Sequence, residues 1–268
     1  MKTGHAWLPR ADCDERCHSD TPGGSRRTWL RVALRISAAL FLLPGLPLIA
    51  IPIPGRSHLQ RTYCRLMLRC LGVRITVSGG PIRNLKGVLV VSRHVSWLDA
   101  FAIGAVLPGS FVARSAVGVA ARIMKVIPIE RASLRRLPTV IGTVAARLRT
   151  GHTVVAFPEG TTWCGRGYGR FHPAMFQAAI DAGRPVQPLR LTYHHRDGQT
   201  STVPAFIGND TLGQSLRRLV SARMTVVHVA VPSLELPGAD RRSLSARCEA
   251  AVQGNVAGAK DHVHAMAG

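Results

Sequence analysis

The sequence predicts an α/β fold: a mixed, largely parallel central sheet flanked by helices, preceded by an N-terminal membrane-associating helical segment. Three observations predict it. After Gly72, short β-branched runs alternate with helical stretches as far as Val252, the pattern of a sheet covered on both faces. From Ile36 to Pro54 the 19 residues ISAALFLLPGLPLIAIPIP carry no charge. With 46% hydrophobic and 18% charged residues, the 268-residue chain is too apolar for extended disorder and long enough to bury a sizeable core.

Residues 1–27 mix charges with Pro22, Gly23 and Gly24, show no apolar period, and are expected as a flexible arm. Residues 28–71 form the expected membrane-anchoring region. The stretch 36–54 nearly spans a bilayer, but Pro44, Pro47, Pro52 and Pro54 each remove a backbone donor. A kinked, shallow or re-entrant segment is therefore expected at least as much as a clean span. Arginines flank it on both sides (Arg26, Arg27, Arg31 and Arg35; Arg56 and Arg61). That symmetry suits two ends facing one anionic leaflet, so the expected location is the cytoplasmic face of the cell membrane. Next, Ser57–Leu71 sets Leu59, Tyr63, Leu66, Met67 and Cys70 against Arg61, Arg65 and Arg69. It reads as a basic amphipathic helix lying on a membrane, with a surface helix packed on its own domain as the alternative.

Residues 72–252 form the expected α/β domain, and 253–268 a flexible tail. Strands are expected at Val73–Val77, Val88–Ser92, Phe111–Ala113, Ile127–Ile129, Val154–Phe157, Pro188–Thr192 and Thr225–Val231. Helices are expected at Leu98–Leu107, Val117–Lys125, Pro138–Leu148, Ala174–Ala182, Leu212–Ser221 and Arg241–Val252, with Pro138 in a first turn and Gly151 as a stop.

The charge balance of 35 Lys+Arg against 14 Asp+Glu gives +21 and implies anionic partners. Nucleic acid is the competing reading, but aromatics are only 5%, the basic residues are spread along the chain, and no zinc-finger or RNA-recognition signature occurs. The six cysteines, at 13, 17, 64, 70, 164 and 248, share no repeated spacing and read as reduced thiols. Cys13 and Cys17-His18 resemble half of a metal site, but no second Cys/His pair accompanies them in sequence, so no metal is expected.

Chemistry in an α/β domain collects at the carboxyl ends of strands. After Val88–Ser92 comes Arg93-His94-Val95-Ser96-Trp97-Leu98-Asp99. A His leaving a buried strand, with an Asp five residues on at a helix start, can form an imidazole–carboxylate dyad that fixes the ring tautomer. After Ile127–Ile129 come Glu130 and Arg131, the latter a forked phosphate donor. After Val154–Phe157 come Pro158-Glu159-Gly160-Thr161-Thr162, whose glycine lets backbone amides approach an anion. A fourth block is Val186-Gln187-Pro188-Leu189.

In this order, with His94 and Glu159 65 residues apart, the blocks resemble the 1-acylglycerol-3-phosphate acyltransferase family of glycerolipid acyltransferases. The resemblance covers about Gly72 to Val252. It implies His94 as general base and Asp99 as the residue orienting it. It implies Arg131, and Arg114 in Phe111-Val112-Ala113-Arg114, as binders of the acceptor phosphate, with Glu159, Gly160, Thr161 and Thr162 completing the substrate site. The family often has Arg where Thr162 stands, so a phosphate ligand is lost or supplied elsewhere, with Arg166 and Arg170 as candidates. The second block has Glu130 where Asp is usual, and polar Gln187 stands at a commonly hydrophobic position.

The implied reaction moves an acyl group from a CoA or acyl carrier protein thioester to the hydroxyl of a lysophospholipid acceptor, without a further cofactor. No G-x-S-x-G elbow occurs, and no Cys lies in the matched blocks. Ser96 is close enough to His94 that a Ser–His nucleophile remains an alternative. Lysophosphatidic acid is the default acceptor. Lyso-ornithine lipid or another lysolipid would use the same dyad, and a lipid-binding protein without catalysis is the reading from another class. Trp97 is expected to pack, His194-His195 to be structural, and His152 to cap.

Overall fold

The computed structural model describes residues 9–18, 25–47, 55–80, 85–114, 126–129 and 134–254. Seven strands form one sheet: β1 (Val73–Ser78), β2 (Leu89–Ser92), β3 (Ser110–Arg114), β4 (Ile127–Ile129), β5 (Val154–Ala156), β6 (Val186–His194) and β7 (Thr225–Ala230). Their order is β1-β7-β6-β2-β5-β3-β4. Every pairing is parallel except β6 with β7. This is the mixed, largely parallel sheet that the β-branched runs predict.

The central strands are covered on both faces, which accounts for their unbroken apolar character. Along β2, Val90 points into one core, with Leu98, Ile103, Phe111 and Leu189. Leu89 and Val91 point into the other, with Val144, Leu148, Phe176 and Leu244. The first core is covered by α1 (Arg26–Leu42), α2 (Arg56–Cys70), α3 (Asp99–Gly104) and α6 (Leu212–Ser221), the second by α4 (Leu137–Arg149), α5 (Phe176–Ala182) and α7 (Arg241–Gln253). The expected helix at Val117–Lys125 lies outside the described residues.

Local chemistry sets these boundaries. Pro138 sits in the first turn of α4, where no amide partner is needed. Thr211 and Gln214 close a capping box on α6: the Thr211 hydroxyl accepts from the Gln214 amide at 3.3 Å, and Gln214 Oε1 accepts from the Thr211 amide at 2.9 Å. Asp240 caps α7, accepting from the amides of Arg242 and Ser243.

The helix α1 presents two unlike faces. Val32, Ile36, Ala39 and Leu42 pack on the core, while Trp29, Leu30, Leu34 and Phe41 are bare, Phe41 being 84% exposed. Arg31 donates to the Ser221 carbonyl at 3.0 Å. Arg35 donates to the carbonyls of Val220 (2.8 Å), Ala222 (2.6 Å) and Arg223 (2.9 Å). These are carbonyls at the α6 carboxyl end that no helical amide can reach, and a cation there also complements the helix dipole. Together with the turn that follows it, Arg26–Gly45 is long and apolar enough to cross a membrane, with a mean hydropathy of 1.2 over its best window. Pro52 and Pro54 lie outside the described residues.

The α2 helix departs from the reading that placed its apolar side on lipid. Tyr63, Cys64, Met67 and Leu68 are buried in the core, and of that side only Leu66 is substantially exposed, at 41%. A membrane would gain little from a face already used by the domain, so the own-domain alternative describes α2. Its arginines remain outward: Arg65 and Arg69 join Arg35, Arg74 and Arg223 around a cavity of about 640 Å³.

Candidate active site

Because β2, β5, β3 and β4 run parallel to β6 or to one another, their carboxyl ends share one edge of the sheet. His94 lies two residues beyond β2, and its Nδ1 is 2.8 Å from Asp99 Oδ2. Asp99 opens α3 and is fully buried. The same Oδ2 accepts the amides of Val95 (2.7 Å) and Ser96 (2.9 Å), while Oδ1 accepts the Tyr193 hydroxyl at 2.6 Å. Four donors therefore surround one buried carboxylate, one for each of its acceptor sites. As an acceptor, Asp99 Oδ2 keeps the hydrogen on His94 Nδ1 and leaves Nε2 as the proton acceptor.

The imidazole is further fixed from its face, stacking on Phe157 at 4.1 Å with 13° between the planes. Its backbone is held as well. Glu159 Oε2 accepts the His94 amide at 2.8 Å, and the Trp163 amide donates to the His94 carbonyl at 2.8 Å. The loop after β5 thus clamps the loop after β2 on both sides of the catalytic candidate.

Glu159, expected in the substrate site, lies between the loops after β2 and β5. It is only 2% exposed, and Oε1 accepts the Gly169 amide at 3.1 Å, so the carboxyl joins two loops. Burial pushes it up to about 7, opposed by the His94 amide and by the Arg93 guanidinium. Arg93 in turn lies over the Tyr168 ring at 3.6 Å.

Thr162 is likewise engaged. Its hydroxyl donates to the Phe206 carbonyl, whose own amide donates to the Val95 carbonyl at 2.9 Å. Thr161 is half-buried beside it. At Gly160, φ is +70° and a Cβ would come within 2.7 Å of the Pro9 ring, so the arm approaches the loop where only glycine fits. Arg114 ends β3 opposite Ile129, but its side chain, like all of Glu130 and Arg131, lies outside the described residues. Arg166 and Arg170 line a cavity of about 680 Å³ with Arg93 and Arg190, and His94 is not among its lining residues.

Ser96 does not pair with His94. It is fully buried, and its hydroxyl accepts the Leu98 amide at 3.3 Å. Trp97 packs edge-on to Phe101 and donates to the Ser215 hydroxyl. His194 bonds Thr192 and the Gly198 carbonyl, and His152 bonds Thr150.

This geometry can remove a proton from a hydroxyl presented at His94 Nε2. An acyltransferase family model matches residues 74–192. A 1-acyl-sn-glycerol-3-phosphate acyltransferase from Neisseria meningitidis is 33% identical over 171 residues, covering 62% of this chain and 67% of that one. The chain belongs to the lysophosphatidic acid acyltransferase family. It is an O-acyltransferase of the lysolipid type, with the family's first and third blocks on the two loops that meet at His94. A lyso-ornithine lipid O-acyltransferase from Pseudomonas aeruginosa is 32% identical over 208 residues, covering 75% of this chain and 79% of that one. The crystal structure of a 1-acyl-sn-glycerophosphate acyltransferase from Thermotoga maritima shares the fold, with a TM-score of 0.56 at 20% identity over 85% of this chain and 94% of that one.

Tyr193, Arg93 and Phe157 are the residues of this lysophosphatidic acid acyltransferase family member that sequence reasoning did not single out. Tyr193 carried a signal, being a polar-tipped aromatic near the carboxyl end of a buried strand.

Proposed function

We propose that this enzyme moves a fatty acyl group from a CoA or acyl carrier protein thioester to the free hydroxyl of lysophosphatidic acid, on the cytoplasmic face of the cell membrane. The observation that carries the reading is the His94–Asp99 dyad at 2.8 Å, its carboxylate saturated by three other donors. His94 Nε2 takes the hydroxyl proton as the oxygen attacks the thioester carbonyl. The tetrahedral intermediate then expels the thiolate, which recovers that proton from the imidazolium. Arg131 and Arg114 are proposed as partners of the acceptor phosphate.

Membrane docking is proposed through the bare side of α1, with Trp29, Leu30, Leu34 and Phe41 in the headgroup–acyl boundary. The arginine-lined cavity at Arg35, Arg65, Arg69, Arg74 and Arg223 would meet anionic headgroups. An α1 tied through Arg31 and Arg35 to the α6 carboxyl end favours a helix lying in the interface over a clean span.

Thr162 favours a second reading in which the acceptor is lyso-ornithine lipid. Its hydroxyl is committed to Phe206, so this position brings no cation to a phosphate.

The test is acyl transfer with a panel of lysolipid acceptors and both thioester types, using His94→Ala as the blank. Folded His94→Ala should lose about 10²- to 10⁴-fold in turnover. Near-normal turnover would reject the mechanism, and the preferred acceptor decides between the two substrates.

A further inference from the structure

The arm contributes to a side-chain cluster that the acyl-transfer chemistry does not use. The sulfurs of Cys13, Cys17 and Cys164 lie within 4.8 Å of one another. Cys13 and Cys17 bracket a single helical turn (Glu15–Cys17) begun by Asp14, whose carboxylate accepts the Arg16 amide at 3.0 Å. Cys164 comes from the loop after β5 and is buried. That third sulfur is 147 residues beyond Cys17 (164 − 17), so no sequence spacing announces it.

Three features distinguish this from a chance meeting of thiols. The first is convergence. Sulfurs around a tetrahedral zinc at about 2.3 Å are separated by roughly 3.8 Å, so a contraction of about 1 Å at most would bring all three into coordination. The second is amide donation. The Cys164 amide donates to Cys13 Sγ at 3.4 Å. Such N–H···S bonds stabilise charge on a ligating thiolate. Gly165, at φ +87°, turns the chain directly after Cys164. The third is that the arm is held in place independently of the thiols. His18 Nε2 lies 3.2 Å from Asp210 Oδ2, Asp210 is paired with Arg218 at 2.7 Å, and Pro9 covers Gly160.

We propose that Cys13, Cys17 and Cys164 form a binding site for a soft divalent metal ion, zinc being the best match, that clasps the N-terminal arm to the catalytic loop. On binding, the three thiols release their protons to solvent and the sulfurs ligate as thiolates, with water in the fourth position. Soft sulfur donors select zinc over magnesium or calcium. The clasp reaches the catalytic candidate through one residue: Trp163, which precedes Cys164, donates its amide to the His94 carbonyl. The role is structural, holding that loop against the arm, and no step of acyl transfer passes through the ion.

The test uses the full chain, purified in detergent with a thiol reductant and without chelator. Elemental analysis should find about one zinc per chain. After exchange, Co²⁺ should give the intense visible bands of a tetrahedral site together with sulfur-to-metal charge transfer. Cys13→Ser, Cys17→Ser and Cys164→Ser should each abolish the charge-transfer band as seen in the wild type, and Cys248→Ser, in a core away from the cluster, should keep it. Chelation should increase tryptic cleavage after Arg10 and Arg16 in the wild type, a readout that needs no variant to fold. A weak octahedral cobalt spectrum, bands that survive unchanged in Cys164→Ser, or a Cys13–Cys164 disulfide trapped by alkylation at lysis would each overturn the proposal.

Discussion

Tyr193 and Asp99 meet at the carboxyl edge of the sheet with 2.6 Å between the phenolic oxygen and Oδ1. Burial, together with the neighbouring carboxylate, raises the tyrosine hydroxyl well above its usual range, so it remains a donor at any working pH. A hydrogen bond to a charged group is worth about 1.5–3 kcal/mol. Tyr193→Phe should therefore lower kcat about 10- to 100-fold. Because Tyr193 touches Asp99 and has no place at the substrate, KM for either substrate should stay within about twofold, as for a positioning residue. A rise in KM at constant kcat would contradict that role.

Asp99→Asn removes the charge and lets the amide present a donor to His94 Nδ1. The ring would then favour the hydrogen on Nε2, where the base must be vacant. Turnover should fall by about 10²- to 10⁴-fold while the fold is retained, checked by circular dichroism alongside the assay.

Ser96→Ala should keep most of its activity, since the hydroxyl serves the Leu98 amide and not the imidazole. Loss of turnover on the scale of His94→Ala, in a folded variant, would restore a serine nucleophile.

Glu159 makes stability depend on pH in a stated direction. Its carboxyl is raised from 4.5 to about 7 in the folded chain by burial. Between those values the folded state holds the proton that the unfolded state has released, so stability falls as pH rises through that window and levels off above about 7. Glu159→Gln cannot titrate. The stability of wild type minus that of Glu159→Gln should drop by up to about 3 kcal/mol across the window, measured by urea unfolding. A flat difference would mean that the two amide bonds hold the carboxylate ionised throughout.

Membrane attachment and acceptor binding should separate. Raising salt should release the protein from anionic vesicles by screening exposed arginines, and Leu34→Glu with Phe41→Glu should release it at low salt. Arg131→Ala should raise KM for the acceptor without changing vesicle partition. Identical behaviour of all three perturbations would show that one surface serves both ends.

The strands were legible because buried parallel strands are written as β-branched runs: Ile127–Ile129 has identical bounds in sequence and structure, β1 and β5 differ by one residue at one end, and β3 by one residue at each end. His94 and Asp99 were legible because both lie in one short loop. Tyr193 was not, because its tie to Asp99 spans 94 residues and depends on β6 lying beside β2. The α2 helix misled for a related reason. Its apolar stripe shows that one side must be covered, but not whether lipid or protein covers it. Glu159 shows the same limit, since a carboxylate in a glycine turn suits ligand contact and loop bracing equally until burial is known.

The docking of the arm has a consequence in time. The partners of residues 9–18 include Cys164 and Asp210, which follow Cys13 and His18 by about 150 and 190 residues. At roughly 5–20 residues per second, they leave the ribosome about 10–40 seconds after the arm does. The apolar face of α1 is synthesised within that interval and can meet lipid first. The arm is thus the earliest of these segments to be made and the last to find its place, and the loop that holds His94 is completed only after α1 has left the ribosome.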